Sequence, residues 1–292
     1  MALIKKLTAL ADAVREKTGG DQLLTLDEMA EQIHSLAKDP EKPYIDSTTL
    51  ALSYFCCDGQ NLDVLFHPNF DISAVEDVNH LFFHTYMLDL PKGHLAFPSV
   101  KNATQMFAAL KARGILEYGA DLSQLEVSLP SAETAYGMFE GTYMGKMPVT
   151  HLGATCLTFE RMFYDCCYLT EVDLRDAIGV TNFKNMFTYC YALESVALDM
   201  RAATSYKGMF SGCGSLSYLS IGSLKIVDNE FRLDGSPYLS EDSLLGILNA
   251  IQSNAGEATT YTVFLGDENL VKLTDEQKQI AIDKNLTLAW KE

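Results

Sequence analysis

The sequence predicts an α/β fold in which short repeated units stack into a solenoid with a parallel β-sheet, preceded by a small two-helix N-terminal segment. Three observations predict it. A unit that begins at Met-Phe recurs with a period of 23–24 residues. Each unit ends in alternating apolar and polar residues, which is the periodicity of a strand. The first 38 residues instead carry apolar side chains at helical spacing. Units this short cannot fold singly, so they must stack on one another.

Residues 1–38 are predicted to be a helical attachment segment, and residues 39–48 a linker. A first helix ends at Thr18-Gly19-Gly20, and a capping box that starts at Thr25 opens a second. Two such helices bury too little apolar surface to stand alone, so they should dock on another surface. The predicted attachment residues are Leu3, Leu7, Leu10, Val14, Met29, Ile33 and Leu36.

Residues 49–239 are predicted to be the solenoid. Copies aligned on Phe163, Phe187 and Phe210 each have Cys at +3, Leu at +6, Val or Leu at +9, and Leu or Ile at +11. Phe139 marks another copy, and Phe107 one with an insertion near 108–120. After that insertion, Leu122, Leu125 and Val127 continue the pattern with a displacement of nine residues. Two less regular copies are marked by Phe82 and Phe55.

The pattern also predicts which way the side chains face. Residues at +6, +9 and +11 should point into the core, and Met-Phe should begin a short helix or 3₁₀ turn whose Phe lies between successive layers. The intervening strand residues should face outward, and stacked strands present an extended recognition surface. The predicted ligand-binding residues are Gln124, Glu126, Glu171, Asp173, Ser195, Ala197, Tyr218 and Ser220.

Exposed tyrosines are a second candidate for recognition. Tyr218, with Tyr189 and Tyr191 near it in the repeat frame, has the aromatic character that stacks on sugars or packs on protein. The alternative, which we favour, is that Tyr168, Tyr189 and Tyr191 only cover the convex side of the stack.

Residues 240–292 are predicted to cap the solenoid with two larger helix–strand units. Ser240 caps a helix that runs to about Ile251, and a strand follows at 260–265. A capping box at Thr274–Gln277 starts a helix that runs to about Lys284, and a strand follows at 286–290. The last layer of a solenoid needs covering, and Trp290 is expected to cover apolar surface there.

Cysteine and histidine positions do not favour a metal. Cys166, Cys190 and Cys213 occupy one repeat position, and the seven cysteines include no Cys-x-x-Cys, so buried free thiols are expected. His80 and His84 would share a helical face, with His67 and His94 nearby in sequence, but the intervening Leu-Phe-Phe marks the core and favours ordinary histidines. Asp267-Glu-Asn269 lacks a calcium-loop signature. No metal and no cofactor are expected.

Composition excludes several classes of function. The net charge of −17 repels phosphates, so nucleic-acid binding is not expected. No apolar stretch approaches the ~20 residues of a membrane span, and no signal peptide is visible, so we expect synthesis in the cytoplasm without membrane insertion. Glu171 and Asp173 share a sheet face, as glycosidase carboxylates would, but acids exposed on strands are usually only solvated.

The repeats carry a resemblance to a known family. The units at 161–174, 185–198 and 208–221 resemble BspA-type leucine-rich repeats, whose family forms parallel-stranded solenoids in bacterial surface proteins and phage-encoded proteins. That resemblance implies binding rather than catalysis. Residues 10–19 and 24–33 are similar to the N-terminal segment of many phage and prophage tail-associated proteins, where it would help to attach a variable distal part. Residues 265–274 look like the closing unit of phage-encoded repeat proteins.

The sequence therefore predicts a phage or prophage tail-associated protein, structural or receptor-binding, located in the virion. Its expected partners are other tail or baseplate proteins and a host-surface protein or glycan. Trimers are common among tail fibres by resemblance, but no heptad pattern is present to enforce one. One alternative is a bacterial surface or effector protein-interaction module. Another is a glycan-active enzyme, which would lose turnover when Glu171 or Asp173 is changed.

Overall fold

The structure is a computed structural model that describes Leu52, Leu65 and residues 72–87, 93–112, 120–227 and 230–290. The chain divides into one unit of residues 1–49 and 61–72 and a second of residues 50–60 and 73–292. The predicted N-terminal helices, the linker, all seven attachment residues and the Phe55 copy lie outside the described residues.

The described chain is α/β with parallel strands and few helices, as the sequence predicts, but its strands form four sheets where one was predicted. A two-stranded sheet pairs β1 (Tyr86–Met87) with β3 (Lys111–Ala112). A three-stranded sheet orders β2 (Gly93–Ala96), β5 (Leu125–Leu129) and β7 (Val149–Leu152). A five-stranded sheet contains β4 (Ala120–Asp121), β6 (Met144–Lys146), β8 (Glu171–Leu174), β9 (Ser195–Leu198) and β10 (Tyr218–Ser220).

The predicted inward-facing residues form the core. The residues at +6, +9 and +11 of the three regular copies are all buried, and so are Leu122, Leu125 and Val127 after the insertion. The alternation of apolar and polar residues along each strand decides which side chains are buried, because successive side chains of a strand point to opposite faces. A one-residue slip in register would bring the polar residues inward.

One phenylalanine per repeat forms a continuous stack through this core. The ring centroids are 4.8 Å apart from Phe82 to Phe107, and 5.7 Å apart from Phe187 to Phe210 at the other end. All six rings are buried, and each neighbouring pair is nearly parallel. Phe231 ends the row by meeting Phe210 edge-on, at 84°. The prediction that this Phe lies between successive layers is confirmed.

The prediction that Met-Phe begins a short helix or 3₁₀ turn is met only in part: no helix forms, but i→i−3 hydrogen bonds do, as from the amide of Tyr164 to the carbonyl oxygen of Arg161. The segment is a run of tight turns in which the residues two before and two after each Phe have positive φ, as at Arg161 (57°) and Asp165 (58°). In the five layers from Phe82 to Phe187, the amides of these two residues and of the Phe itself donate to carbonyl oxygens of the next repeat, at 2.7–3.2 Å. Bonds along the stack replace the i→i−4 bonds that a helix would need.

A second line of pairing runs five residues before each Phe. Isolated parallel bridges link, in order, Asp77, Asn102, Thr134, Thr158, Asn182 and Ser205. In the first five of these residues, a side-chain oxygen accepts a hydrogen bond from the amide two residues later, at 2.8–3.2 Å. Short polar side chains make this local turn, which explains why Asp, Asn, Thr and Ser recur here.

The C-terminal capping elements agree closely with the prediction. Helix α1 (Glu241–Ala250) is capped by Ser240, and α3 (Asp275–Asp283) begins at the Thr274–Gln277 capping box with both of its hydrogen bonds present. A short helix, α2 (Asp267–Leu270), lies between them. A further three-stranded parallel sheet orders β11 (Glu230–Arg232), β12 (Tyr261–Phe264) and β13 (Leu286–Ala289).

One detail of this end, the position of Trp290, differs from expectation, and a second, Asn269, was not predicted. Trp290 is 65 % exposed, so it does not cover apolar surface at this end as predicted. Asn269 is fully buried inside α2, where its amide donates to the carbonyl oxygens of Ser236 and Leu265 while its own oxygen accepts from Lys272. The side-chain oxygen of Asn269 is therefore used in a hydrogen bond within the fold. None of the described helices is long and apolar enough to cross a membrane.

Candidate functional site: a groove between two parallel sheets

Six of the predicted ligand-binding residues form two rows across β8, β9 and β10. One row pairs Glu171, Ser195 and Tyr218, and the other pairs Asp173, Ala197 and Ser220. Glu171, Asp173 and Tyr218 are exposed, and Ser195 and Ser220 are half-buried. Parallel pairing in register places equivalent repeat positions side by side, as the repeat frame predicts.

The prediction that Ala197 is an exposed ligand-binding residue is corrected, because Ala197 is only 9 % exposed. It occupies the same register position as the exposed Asp173 on the strand beside it. A single methyl group does not rise above its longer neighbours, so the second row is interrupted at its centre. Ala197 therefore offers a ligand little surface.

The predicted position of Glu126 is also corrected, because Glu126 lies in the three-stranded sheet and not in the five-stranded sheet that contains Glu171. The sequence predicts one face that carries Glu126 together with Glu171. Instead, β5 pairs with β2 and β7, while β6 and β8 pair only at Lys146 and Glu171. Gln124 lies in the exposed turn just before β5. The predicted residues are therefore divided between two sheets.

The chain passes from the five-stranded to the three-stranded sheet twice, between β4 and β5 at residues 122–124 and between β6 and β7 at Met147-Pro148. The chain leaves β6 in the five-stranded sheet, passes through these two residues and enters β7 in the three-stranded sheet. Pro148 has no amide hydrogen to donate to a neighbouring strand, so the ladder is interrupted there. Gly153 then allows the end of β7 to lie against the end of β5. A Cβ atom at Gly153 would be only 1.8 Å from the carbonyl oxygen of Pro130.

A groove of about 660 Å³ lies between β7 and β8, where the two sheets diverge. Its apolar floor and rim include Val149, which is 49 % exposed, and the half-buried Leu152. Two hydroxyl-bearing residues, Ser123 and Thr150, also line it. The charged or titratable lining residues are Lys146, His151, Glu171, Asp173, Arg175 and Asp176. This mixture of apolar and oppositely charged groups is typical of a recognition surface.

Asp173 is held by Arg175 at the mouth of the groove. The guanidinium Nε is 2.9 Å from Oδ1 and Nη2 is 2.6 Å from Oδ2, which is a bidentate pair. The hydrogen bonds from Arg175 hold the pKa of the Asp173 carboxyl below its ordinary value. Asp173 is therefore an ionised, oriented acceptor at neutral pH.

A cluster of three side chains crosses the neighbouring sheet. Glu126 on β5 lies between His94 on β2 and His151 on β7, with Oε2 3.2 Å from Nδ1 of His94 and Oε1 3.3 Å from Nε2 of His151. Sequence reasoning singled out Glu126 and His94 but missed His151. The repeat pattern does not predict the contact between His151 and Glu126, because the two residues are brought together only by the pairing of β5 with β7. No set of three metal-binding side chains suited to an ion occurs among the described residues.

Tyr189 and Tyr191 lie apart from the groove, in turns, whereas Tyr218 lies on β10. Tyr189 is 43 % and Tyr191 56 % exposed, and their rings are 6.0 Å apart. Tyr189 also meets Tyr164 edge-on, and the guanidinium of Arg161 lies 3.8 Å from the Tyr164 ring centroid. The aromatic cluster therefore covers the turn segments while leaving two rings accessible.

His80 and His84 do not form the helical pair that a metal site would need. Both have positive φ and lie in successive turns. The His84 ring stacks on Phe83 at 4.1 Å, while the Phe83 ring meets that of His80 edge-on. The described cysteines, Cys156, Cys166, Cys167, Cys190 and Cys213, are all free thiols, as predicted.

Comparison with known proteins gives one family match. Residues 60–115 and 153–225, less than half of the chain, match the model of the family described as "Mycoplasma protein of unknown function, DUF285". That family is associated with BspA-like repeat proteins, in agreement with the repeat pattern. No curated protein and no solved structure matches the chain.

Proposed function

We propose that this chain is a binding protein whose stacked units form a leucine-rich-repeat solenoid, and that it is a tail-associated component of a phage or prophage. It would be structural or receptor-binding, with a host-surface protein or glycan, or another tail or baseplate protein, as its partner. The groove between β7 and β8 carries the proposal. It combines an exposed apolar rim, both signs of charge and a carboxylate that is already oriented by Arg175.

Binding accounts for this groove better than glycan hydrolysis does. A glycosidase needs a carboxylic acid whose pKa is raised so that it can donate a proton near neutral pH. Arg175 lowers the pKa of Asp173 instead, which suits a hydrogen-bond acceptor. If the chain were a glycan-active enzyme, changing Glu171 or Asp173 would abolish turnover. Under the binding hypothesis, the same changes should instead lower the affinity for the partner.

The tail assignment is supported by the resemblance of residues 10–19 and 24–33 to tail-associated proteins. It is tested by quantitative mass spectrometry on particles purified by density gradient from an induced culture of the encoding organism. The expected result is co-sedimentation with tail proteins at a fixed ratio. Absence from the particles, with abundant protein in the soluble lysate or on cells, would overturn it.

The role of the groove is tested separately with the labelled full chain and intact host cells. Glu171→Lys reverses a charge in the groove and should lower cell binding by about tenfold. Glu257→Lys makes the same change at an exposed residue outside the groove and should leave binding unchanged. Equal binding by both variants, each shown to be folded, would place the binding surface elsewhere.

A bacterial surface or effector interaction module is the second candidate. The matched family model is described from Mycoplasma proteins, which favours a cellular protein over a virion component. The same particle experiment separates the two, because a cellular module would be recovered with cells and never at a fixed ratio to tail proteins.

A further inference from the structure

The turn segments form a ladder whose hydrogen bonds all run in one direction. In each layer, the amides of Phe and of the residues two before and two after it donate to carbonyl oxygens of the next repeat. For the layer of Phe163, the acceptors are Lys184, Met186 and Thr188. Five successive interfaces are built this way. A layer that is not followed by another turn therefore keeps main-chain donors that the stack does not use.

The layer of Phe210 is such a layer, because the next Phe of the row, Phe231, lies on β11 and not in a turn. The amides of Gly208 and Phe210 hold the first two donor positions, and neither makes a hydrogen bond to any residue that the structure describes. The third position, Gly212, is covered by Gly235, where an added Cβ atom would lie 3.5 Å from the Gly212 nitrogen. Two oriented main-chain donors therefore have no partner within the described part of the chain.

These two donors line a cavity of about 460 Å³ between the turn of Phe210 and β11. The opposite wall carries charged side chains at alternate positions, Glu230 and Arg232 on β11 and Asp234 just after it. The volume falls within the range of small-ligand sites, which is roughly 300–1,000 Å³. The cavity therefore suits one small molecule.

The charges of the cavity favour an uncharged ligand. Its charged lining residues, Lys207, Glu230, Arg232 and Asp234, have no net charge between them. Nη2 of Arg232 is 2.9 Å from Oδ2 of Asp234, and Nη1 of Arg232 is 3.7 Å from Oε2 of Glu230. An anion would be repelled by the two carboxylates, and a cation by the guanidinium group that lies between them. A neutral molecule meets neither repulsion.

The two walls offer hydrogen-bonding groups of opposite kinds. The amides of Gly208 and Phe210 can only donate, whereas the ionised carboxylates of Glu230 and Asp234 can only accept. A simple carbonyl compound would satisfy the amides alone. A hydroxyl group both donates and accepts, so several hydroxyl groups on one small frame can bond to both walls at once. Sugars have this chemistry and carry no charge.

We propose that this cavity binds a neutral monosaccharide unit. Hydroxyl oxygens of the sugar accept from the amides of Gly208 and Phe210, and sugar hydroxyl groups donate to Glu230 and Asp234. The bound sugar also stabilises the last layer of the ladder, because an amide that is shielded from water without a partner is costly. The cavity shares no lining residue with the groove between β7 and β8, and the proposal does not depend on the tail assignment.

The test is a titration of the ¹⁵N-labelled full chain, followed by NMR, with the methyl glycosides of glucose, galactose, mannose and N-acetylglucosamine. The expected result is that at least one of these probes shifts the Gly208 and Phe210 amide signals saturably. Hydrogen exchange at the two amides should be slowed by about tenfold at saturation. If none of the probes shifts the two signals at about 100 mM, which corresponds to an affinity too weak to be specific, the proposal is overturned.

Three further titrations distinguish a sugar from other small ligands. Inorganic phosphate represents an anion, N-methylacetamide a simple carbonyl compound, and the free amino acid glycine a zwitterion. None of them should shift the amide signals of Gly208 and Phe210. Saturable shifts with any of the three, as large as those with the sugar, would overturn the proposal in favour of that other chemistry.

A matched pair of variants tests the acceptor wall. Glu230→Gln keeps the shape of the side chain but replaces an acceptor oxygen by a donor, so the Kd of the sugar should rise by about tenfold. Glu257→Gln makes the same change at an exposed residue outside the cavity and should leave the Kd unchanged. Equal Kd values for the two variants, each shown by its amide spectrum to be folded, would contradict the proposal.

Discussion

The thiol of Cys190 donates a hydrogen bond to the carbonyl oxygen of Phe163 in the preceding repeat, with 3.0 Å between Sγ and O. Cys166 and Cys213 make the equivalent bonds to Phe139 and Phe187, at 2.9 and 3.2 Å. In the layer of Phe139 the same position holds Thr142, whose hydroxyl donates to Phe107 at 2.8 Å. The position therefore needs a small side chain that both fills a buried corner and donates to the layer before it.

Replacing Cys190 tests this requirement with two side chains of nearly equal volume. Cys190→Thr keeps a donor and Cys190→Val removes it, so the Thr variant should be more stable toward urea by about 1 kcal/mol. Burial alone would predict the opposite order, because a hydroxyl is costly to bury without a partner. A Val variant as stable as the Thr variant would show that the bond to Phe163 contributes nothing.

The buried thiols should make stability depend on alkaline pH. Burial raises the pKa of Cys156 to about 11 and that of Cys213 to about 12, and it also raises the pKa of Cys166 and Cys190. An unfolded thiol ionises at lower pH than these do, near 9.0. The stabilising contribution of these thiols to the free energy of unfolding is therefore complete below pH 9, and it is lost as the pH rises from 9 toward 12. Urea unfolding across this range should show a falling free energy of unfolding, and replacing the four cysteines by valine should flatten the dependence.

The left-handed turn residues predict a stabilising glycine substitution. Ala109 has φ of 54°, a conformation that costs an ordinary residue about 1–2 kcal/mol. Glycine removes that strain but loses more entropy on folding, so Ala109→Gly should raise the free energy of unfolding by about 0.5 kcal/mol. The matched change at the neighbouring, fully buried Ala108, whose φ is not positive, should lower it by about 1 kcal/mol. Equal losses at both positions, measured by urea unfolding, would contradict the strain argument.

Gly153 should be the least replaceable glycine of the groove region. A Cβ there would lie 1.8 Å from the carbonyl oxygen of Pro130, a backbone atom that cannot rotate away. Gly153→Ala should therefore cost about 2–3 kcal/mol in thermal or urea unfolding, because β7 must move away from β5. At Gly214 an added Cβ meets nothing within 4 Å, so Gly214→Ala should change stability by less than about 0.5 kcal/mol. Comparable losses in the two variants would mean that the close approach is not what holds these strands together.

Part of the candidate site could be predicted from the sequence. The repeat frame identified Glu171 and Asp173 as exposed neighbours on one strand, and both line the groove. It did not identify Val149 or His151, because the Phe139 copy has Gly145, Pro148 and Thr150 where the other copies have apolar strand residues, and it did not identify Arg175, which lies just past the end of the repeated strand. It also assigned Glu126 to the wrong sheet, since the chain passes from the five-stranded to the three-stranded sheet at residues 122–124, between Leu122 and Leu125, which both keep the repeat pattern.

The sequence by itself determined which of the repeated apolar side chains are buried. Apolar residues at +6, +9 and +11, one Phe per unit and the terminal capping boxes are local patterns, and burial and capping respond to local pattern. Only the tertiary structure decided where the backbone hydrogen bonds go. The Met-Phe segment reads as a helix because its spacing permits one, but its amides find carbonyl oxygens one repeat away. The same non-local pairing divides the sheets at residues 122–124 and at Met147-Pro148 and leaves the amides of Gly208 and Phe210 facing a cavity, and no local pattern can specify a partner that lies some 24 residues distant.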